Sequence, residues 1–156
     1  MTSVISVDTL SRKYRGQLAL NNVSFTVESD SITGLLGRNG AGKTTLLRIA
    51  AGQEFATSGS VSIDGADPTT NEAVLKKMVF VRDDQMYPEI RVGQALLVAS
   101  WFYPNWNAEL AASLISEFNL PIKRRVKKLS RGMRSALGII IGLAARADVT
   151  LFDEPY

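Results

Sequence analysis

Apolar and polar residues alternate through most of the first thirty positions. "VISVDTL" (4–10) and "LALNNVSFTV" (18–27) are rich in β-formers and flank the turn-like "YRGQ", which predicts an antiparallel pair. A further strand is predicted directly afterwards, at "SITGLL" (31–36). The period then changes. "KTTLLRIAA" (43–51) reads as a helix that stops at Gly52, and "GSVSIDG" (59–65) returns to strand alternation between glycines. "NEAVLKKM" (71–78) is a short helix running into the strand "VFV" (79–81). From Val92 to about Leu120 the pattern is helical in two pieces, broken at "YPNWN" (103–107). Ser130 opens a long apolar helix to Ala145, and "VTLFD" (149–153) is the last strand.

Early hairpins followed by strands alternating with helices predict an α/β domain: a mostly parallel sheet, an N-terminal antiparallel β flap and a helical insertion. The expected division is 1–30 for the flap, 31–85 for the core, 86–129 for the insertion and 130–156 for the last helix and strand. No internal repeat or low-complexity linker interrupts it.

A chain of 156 residues is long enough to bury roughly 70% of its unfolded surface. Its 18 basic and 15 acidic residues leave a net charge of only +3, but "KRRVKKLSRGMR" (123–134) holds seven of the positive charges and no acid. A local basic patch, facing either solvent or an anionic partner, is the feature that charge adds. The absence of Cys and His excludes disulfides, thiol chemistry and the commonest metal ligand and general base. Carboxylates, Lys, hydroxyls and backbone groups are left to do any chemistry. The longest apolar run, "ALGIIIGLAA" (136–145), is far short of the ~20 residues that span a bilayer, and no charged-then-apolar leader opens the chain, so a cytoplasmic protein is expected.

"GRNGAGKT" (37–44) matches G-x-x-x-x-G-K-[ST], between a predicted strand and a predicted helix. The glycines Gly37, Gly40 and Gly42 permit close backbone approach. Successive amides, from Arg38, Asn39 and Ala41 through Thr45, can then face one anion at a helix N-terminus. Lys43 is the candidate for the β- and γ-phosphates, and the Thr44 hydroxyl the candidate ligand for Mg2+. The plainer alternative is a Gly-rich turn capping a helix. By residue frequency, a chance match in a chain this long is on the order of one in a few hundred.

A helix over 132–145 descends about 21 Å and a strand over 149–153 climbs back roughly 16 Å. Asp153 is thereby expected at the carboxyl edge of the sheet, where ligands of open α/β folds sit. Asp153 suits Mg2+, directly or through water, and Glu154 suits polarisation of an attacking water.

"GRNGAGKTTL", "LSRGM" and "LFDEP", in that order, resemble the Walker A, signature and Walker B segments of the nucleotide-binding domain of ATP-binding cassette (ABC) proteins. The resemblance covers nearly the whole chain. It implies a head-to-tail dimer sandwiching two ATP molecules with Mg2+, each between the P-loop of one domain and the signature of the other. It implies further that Tyr14 stacks on adenine and that Ser130 and Gly132 touch the partner's γ-phosphate. Taken alone, Tyr14 is a hairpin aromatic, and Ser130 is also a helix N-cap.

Three departures from the family pattern, and one aromatic cluster, stand out. Arg131 occupies a signature position normally held by Gly, and either adds a phosphate contact or holds the dimer apart. The strand 79–81 leads to "RDDQMYP", so the family's catalytic glutamine position falls on Asp83, with Gln85 two residues later. The aromatic run "WFYPNW" (101–106) lies in the insertion that meets the membrane subunit in transporters, and most of its rings are expected to pack the insertion's core. The sequence also stops directly after the Walker B acids, so an incomplete domain is expected.

The function implied is the ATP-binding and hydrolysing subunit of a transporter, peripheral on the inner face of the membrane and driving a separate permease. The alternatives are a soluble ABC ATPase acting on ribosomes or DNA, and a nucleotide-binding module without hydrolysis. Only about 46 residues separate Asp83 from Ser130, without sustained heptads, which disfavours the coiled-coil DNA-repair type. Neither N-K-x-D nor D-x-x-G occurs, against a GTPase.

Overall fold

Arg15 and Gly16 both take positive φ, 39° and 94°, a two-residue geometry whose twist matches that of paired strands. They close a hairpin between β1 (Ser3–Tyr14) and β2 (Gln17–Glu28), with Tyr14 opposite Gln17. This is the predicted antiparallel pair. The computed structural model describes residues 3–82 and 85–154, and the chain divides into two compact units, residues 1–77 and 78–156.

In the first unit β3 (Ser58–Ile63) pairs antiparallel with the other edge of β1, giving the order β2-β1-β3. Along β1 the buried side chains change phase, from Ile5 and Val7 to Leu10. The pairing with β2 shifts register between Val7 and Leu10, where Thr9 has φ 44°. One inserted residue reverses the face that later side chains take, so the bulge keeps both ends of a long strand in one core. Helix α1 (Lys43–Ala50) buries Leu46, Ile49 and Ala50 and packs on β2 and β3. A second, short helix, α2 (Glu72–Leu75), is capped by the Asn71 side chain, which accepts from the Ala73 amide at 3.0 Å.

The predicted strand over 31–36 does not form. The segment is neither strand nor helix and belongs to neither sheet, and Ile32 and Leu36 are 104% and 94% exposed. An apolar strand needs a neighbour for its backbone groups and a layer over its side chains. Among the described residues neither sheet supplies them.

The second unit is built on a parallel pair, β4 (Met78–Arg82) and β5 (Val149–Asp153), in register from Met78 opposite Val149 to Arg82 opposite Asp153. The α/β expectation holds, with the parallel part reduced to these two strands among the described residues. Helix α5 (Arg131–Ala144) lies across both strands. Its glycines make that closeness possible: a Cβ on Gly138 would fall 2.8 Å from Val81 Cγ1, and one on Gly142 2.9 Å from both the Phe152 ring and Val81. The opposite side of α5 meets α3 (Val92–Phe102) and α4 (Ala108–Glu117), burying Val92, Leu96, Leu137 and Ile140 in one cluster. The expected break between the two helices falls at 103–107, where Asn107 caps α4 by accepting from the Leu110 amide at 2.8 Å. No helix of the described residues is long and apolar enough to cross a membrane.

Candidate nucleotide site

The segment Gly37–Thr45 is a loop that becomes a helix. The Ala41 amide donates to the Arg38 carbonyl at 3.1 Å, closing a turn with Asn39 and Gly40 at its tip, and the Leu46 amide donates to the Gly42 carbonyl at 2.9 Å. Gly40 and Gly42 take φ 81° and 93°, a conformation that L side chains resist. Lys43 folds back over its own loop, its Nζ donating to the carbonyls of Gly37 at 2.8 Å and Arg38 at 3.2 Å. The first turn of α1, which carries Thr44 and Thr45, contains no acidic residue. Backbone donors, an ammonium and a helix N-terminus whose first turn carries no acid therefore occur in one short segment, which is the chemistry a polyphosphate requires.

This loop is seated against the hairpin at β2, where Gly42 abuts Ala19 and Leu20. Leu20 pairs with Arg12, Leu18 with Lys13 and Gln17 with Tyr14, so Tyr14 stands at the hairpin end adjoining the loop. Gln17 is about 7 Å along an extended strand from Ala19. Tyr14 is 38% exposed. The Arg12 guanidinium lies over its ring, 4.5 Å from the centroid, and its hydroxyl donates to Glu54 Oε1. Arg12 reaches the same oxygen through Nε at 3.1 Å and Nη2 at 2.9 Å. Sequence reasoning found Tyr14 and missed Arg12 and Glu54. The first is visible only as a same-face neighbour two residues back, and the second is brought in from 40 residues away.

In the second unit, Ser130 caps α5 as expected, its Oγ accepting from the Met133 amide at 3.3 Å. Ser130, Arg131 and Gly132 are exposed on that first turn, and a Cβ on Gly132 would meet nothing within 4 Å. Two members of the basic run are engaged by Glu89, Arg125 at 3.6 Å and Lys127 more closely. The backbone of the run is also tied to the start of α3, the Val92 amide donating to the Arg124 carbonyl and the Val126 amide to the Ile90 carbonyl. Asp153 ends β5 and is buried, 9% exposed, while Glu154 is exposed with φ 46°. Left-handed backbone costs a non-glycine residue about 1–2 kcal/mol, and it turns the chain at once beyond the strand. Asp83 lies outside the described residues. The Gln85 amide donates to the Arg82 carbonyl at 3.3 Å. Trp101 and Phe102 are exposed at 72% and 74%, whereas Tyr103 and Trp106 pack against the helical cluster.

Three ordered motifs, a phosphate-binding loop, a capped signature helix and a strand ending in two acids, define a nucleotide-binding cassette. Residues 20–156 match the sequence profile of the ABC transporter family, and the chain belongs to that family. It is 31% identical over 153 residues to the ABC transporter ATP-binding protein YtrB of Bacillus subtilis, covering 97% of this chain and 52% of that protein. It is 32% identical over 164 residues to the lipopolysaccharide export system ATP-binding protein LptB of Haemophilus influenzae, covering 99% of this chain and 68% of that one. A solved structure of the ATP binding subunit of an ABC transporter superposes with a TM-score of 0.85 at 25% identity, over 99% of this chain and 67% of the other. The chain thus spans about half the length of YtrB.

Proposed function

We propose that the protein containing this chain binds and hydrolyses ATP with Mg2+ and drives solute movement through a separate membrane-spanning permease, to which it docks on the cytoplasmic face. The observation that carries the reading is the loop at Gly37–Thr45, with positive φ at Gly40 and Gly42 and Lys43 folded over it. In this reading the loop amides and Lys43 hold the phosphates, Tyr14 takes the adenine, and Glu154 orients the attacking water, with Asp83 or Gln85 assisting.

Thr44 and Asp153 are the residues that would hold Mg2+, through a hydroxyl and a carboxylate. Two hard oxygen donors suit an ion that keeps several waters and binds through one or two protein oxygens plus substrate phosphates. When bound, the metal neutralises charge developing on the transferred phosphoryl group.

Ser130 and Gly132, exposed at the start of α5, are the groups offered to the nucleotide of a second cassette in a homo- or heterodimer. Trp101 and Phe102, with Leu97 at 53% exposure on the same helix, form the apolar surface offered to the permease. The test is steady-state turnover of Mg2+-ATP by the full-length protein beside its Lys43→Ala variant. The reading expects sustained turnover that the variant loses. Turnover independent of Lys43, or none by the parent with ATP bound, would remove the hydrolytic assignment.

A further inference from the structure

Tyr14 is useful as a base platform only if its ring is held. A tyrosine at a hairpin end has two rotatable side-chain bonds, and stacking energy is diminished by whatever order the ring must acquire on binding. This ring is held at three points. The hairpin register sets its backbone against Gln17, the Arg12 guanidinium covers one face, and the hydroxyl donates to Glu54 Oε1. That oxygen also accepts from Nε and Nη2 of Arg12, so the three side chains close a cycle in which each fixes the other two.

The cycle has a firm base. Glu54 follows α1 in a segment strapped to β1 on either side of Arg12: the Thr57 amide donates to the Ser11 carbonyl at 2.8 Å, and the Lys13 amide donates to Thr57 Oγ1 at 3.0 Å. The Arg12 and Glu54 side chains are 24% and 16% exposed, so their pairing is partly shielded from the solvent that weakens surface ion pairs. Helix α1 therefore begins at the phosphate loop and leads, at its other end, into the residue that orients the ring.

We infer that Arg12 and Glu54 are positioning residues for the base of the bound nucleotide, fixing Tyr14 with one face occupied by guanidinium and the other open to a purine. The inference rests on the nucleotide reading given above and adds to it the two residues that set the platform. With the guanidinium over one face, a base bound on the other would complete an Arg12–Tyr14–purine stack. Such a stack combines cation–π and base–aromatic contacts, which tolerate sequence but not a displaced ring. Arg12 and Glu54 act on the base alone, since neither belongs to the phosphate loop.

The test compares equilibrium binding of ATP with that of inorganic tripolyphosphate, using the full-length protein and its Tyr14→Ala, Glu54→Ala, Glu54→Gln and Tyr14→Ala/Glu54→Ala variants. Tyr14→Ala is expected to weaken ATP roughly 5- to 100-fold, the range of one base–aromatic stack. Glu54→Ala should weaken it about 3- to 10-fold, the worth of an orienting hydrogen bond, while tripolyphosphate affinity stays at the parent value in each. Glu54→Gln, which keeps an acceptor for the tyrosine hydroxyl, should recover most of the loss. The decisive arm is the double variant: Glu54→Ala should add nothing once Tyr14 is gone. Equal weakening of ATP and tripolyphosphate by Glu54→Ala, or a full Glu54→Ala effect in the Tyr14→Ala background, would make Glu54 a strut of the fold and overturn the inference. Failure of the parent to bind ATP or tripolyphosphate would instead overturn the nucleotide reading itself.

Discussion

A Cβ on Gly42 would lie 2.4 Å from the carbonyl oxygen of Ala19 and 2.8 Å from Leu20 Cδ2. The phosphate loop thus rests on the hairpin through bare backbone. Gly42 also has φ 93° and is the N-cap of α1. Two independent costs fall on any substitution there: about 1–2 kcal/mol for left-handed backbone, and displacement of the loop from a rigid carbonyl. Gly42→Ala is expected to lower affinity for both ATP and tripolyphosphate at least tenfold. Parent-like tripolyphosphate binding by the variant, in an equilibrium titration, would show that the loop tolerates movement away from β2.

The parts of the site legible in the sequence are those that chemistry ties to consecutive residues. The loop 37–44, the Ser130 cap and the acids at the end of β5 each declare themselves within a few positions. The strand expected at 31–36 does not form because a run of β-formers is silent on whether a neighbouring strand exists; Ile32 and Leu36 have no covering layer. Glu54 was unreadable for a related reason. Its role depends on a side-chain meeting between β1 and the segment after α1, which no local spacing encodes. The bulge at Thr9 was equally hidden, since a single inserted residue appears in sequence only as a skipped beat between Val7 and Leu10.

Glu154 stands one residue beyond buried Asp153 and is itself exposed, so a neutral isostere there should disturb neither strand nor fold. Glu154→Gln is expected to bind ATP as the parent does and to lose hydrolysis by about 100-fold or more, the range of a lost general base. An ATP-bound dimer should accumulate on size-exclusion chromatography. Undiminished steady-state turnover would assign the water-orienting role elsewhere, with Gln85 the next residue to replace.

Lys43 donates to the Gly37 and Arg38 carbonyls of the proposed phosphate loop, whereas Arg131 sits at the first position of α5, where the proposed dimer would set it against the partner, either adding a phosphate contact or holding the two cassettes apart. In the monomer, at concentrations too low for pairing, Lys43→Ala should therefore weaken ATP binding by tenfold or more through loss of a charge-assisted contact. Arg131→Gly should leave that affinity within about twofold, and should alter the concentration dependence of turnover instead. Equal losses in monomer affinity would mean that Arg131 serves the site of its own chain.

Helix α5 approaches the β4–β5 pair so closely that Gly142 has no room for a side chain, with Phe152 and Val81 each at 2.9 Å from a Cβ. Gly132, on the first turn of the same helix, has open space. Gly142→Leu should destabilise by about 2 kcal/mol or more, because overpacking at 1–3 kcal/mol per insertion exceeds the ~1 kcal/mol that helix propensity returns. Gly132→Ala should leave stability unchanged or raise it by up to about 1 kcal/mol. Urea denaturation of the two variants decides the point, and equal midpoints would contradict the packing described.

Burial of Tyr87 pushes its hydroxyl pKa up to about 12, with a smaller contribution from Tyr103, whose own pKa is also raised by burial. An unfolded tyrosine titrates near 10. The folded state therefore holds its proton where the unfolded state has released it, and the sign follows. The contribution to stability is fully present below about pH 10 and is lost as pH rises through about 12. A shift of that size corresponds to about 3 kcal/mol for Tyr87, so denaturation midpoints should be flat from neutral pH to about 9 and fall steeply above 10. Tyr87→Phe removes the titrating group while keeping most of the ring that packs against the helical cluster. The variant should lose a large part of the alkaline slope, and near-ultraviolet titration should show one fewer late-ionising tyrosine. An identical slope in parent and variant would assign the alkaline loss to groups other than Tyr87.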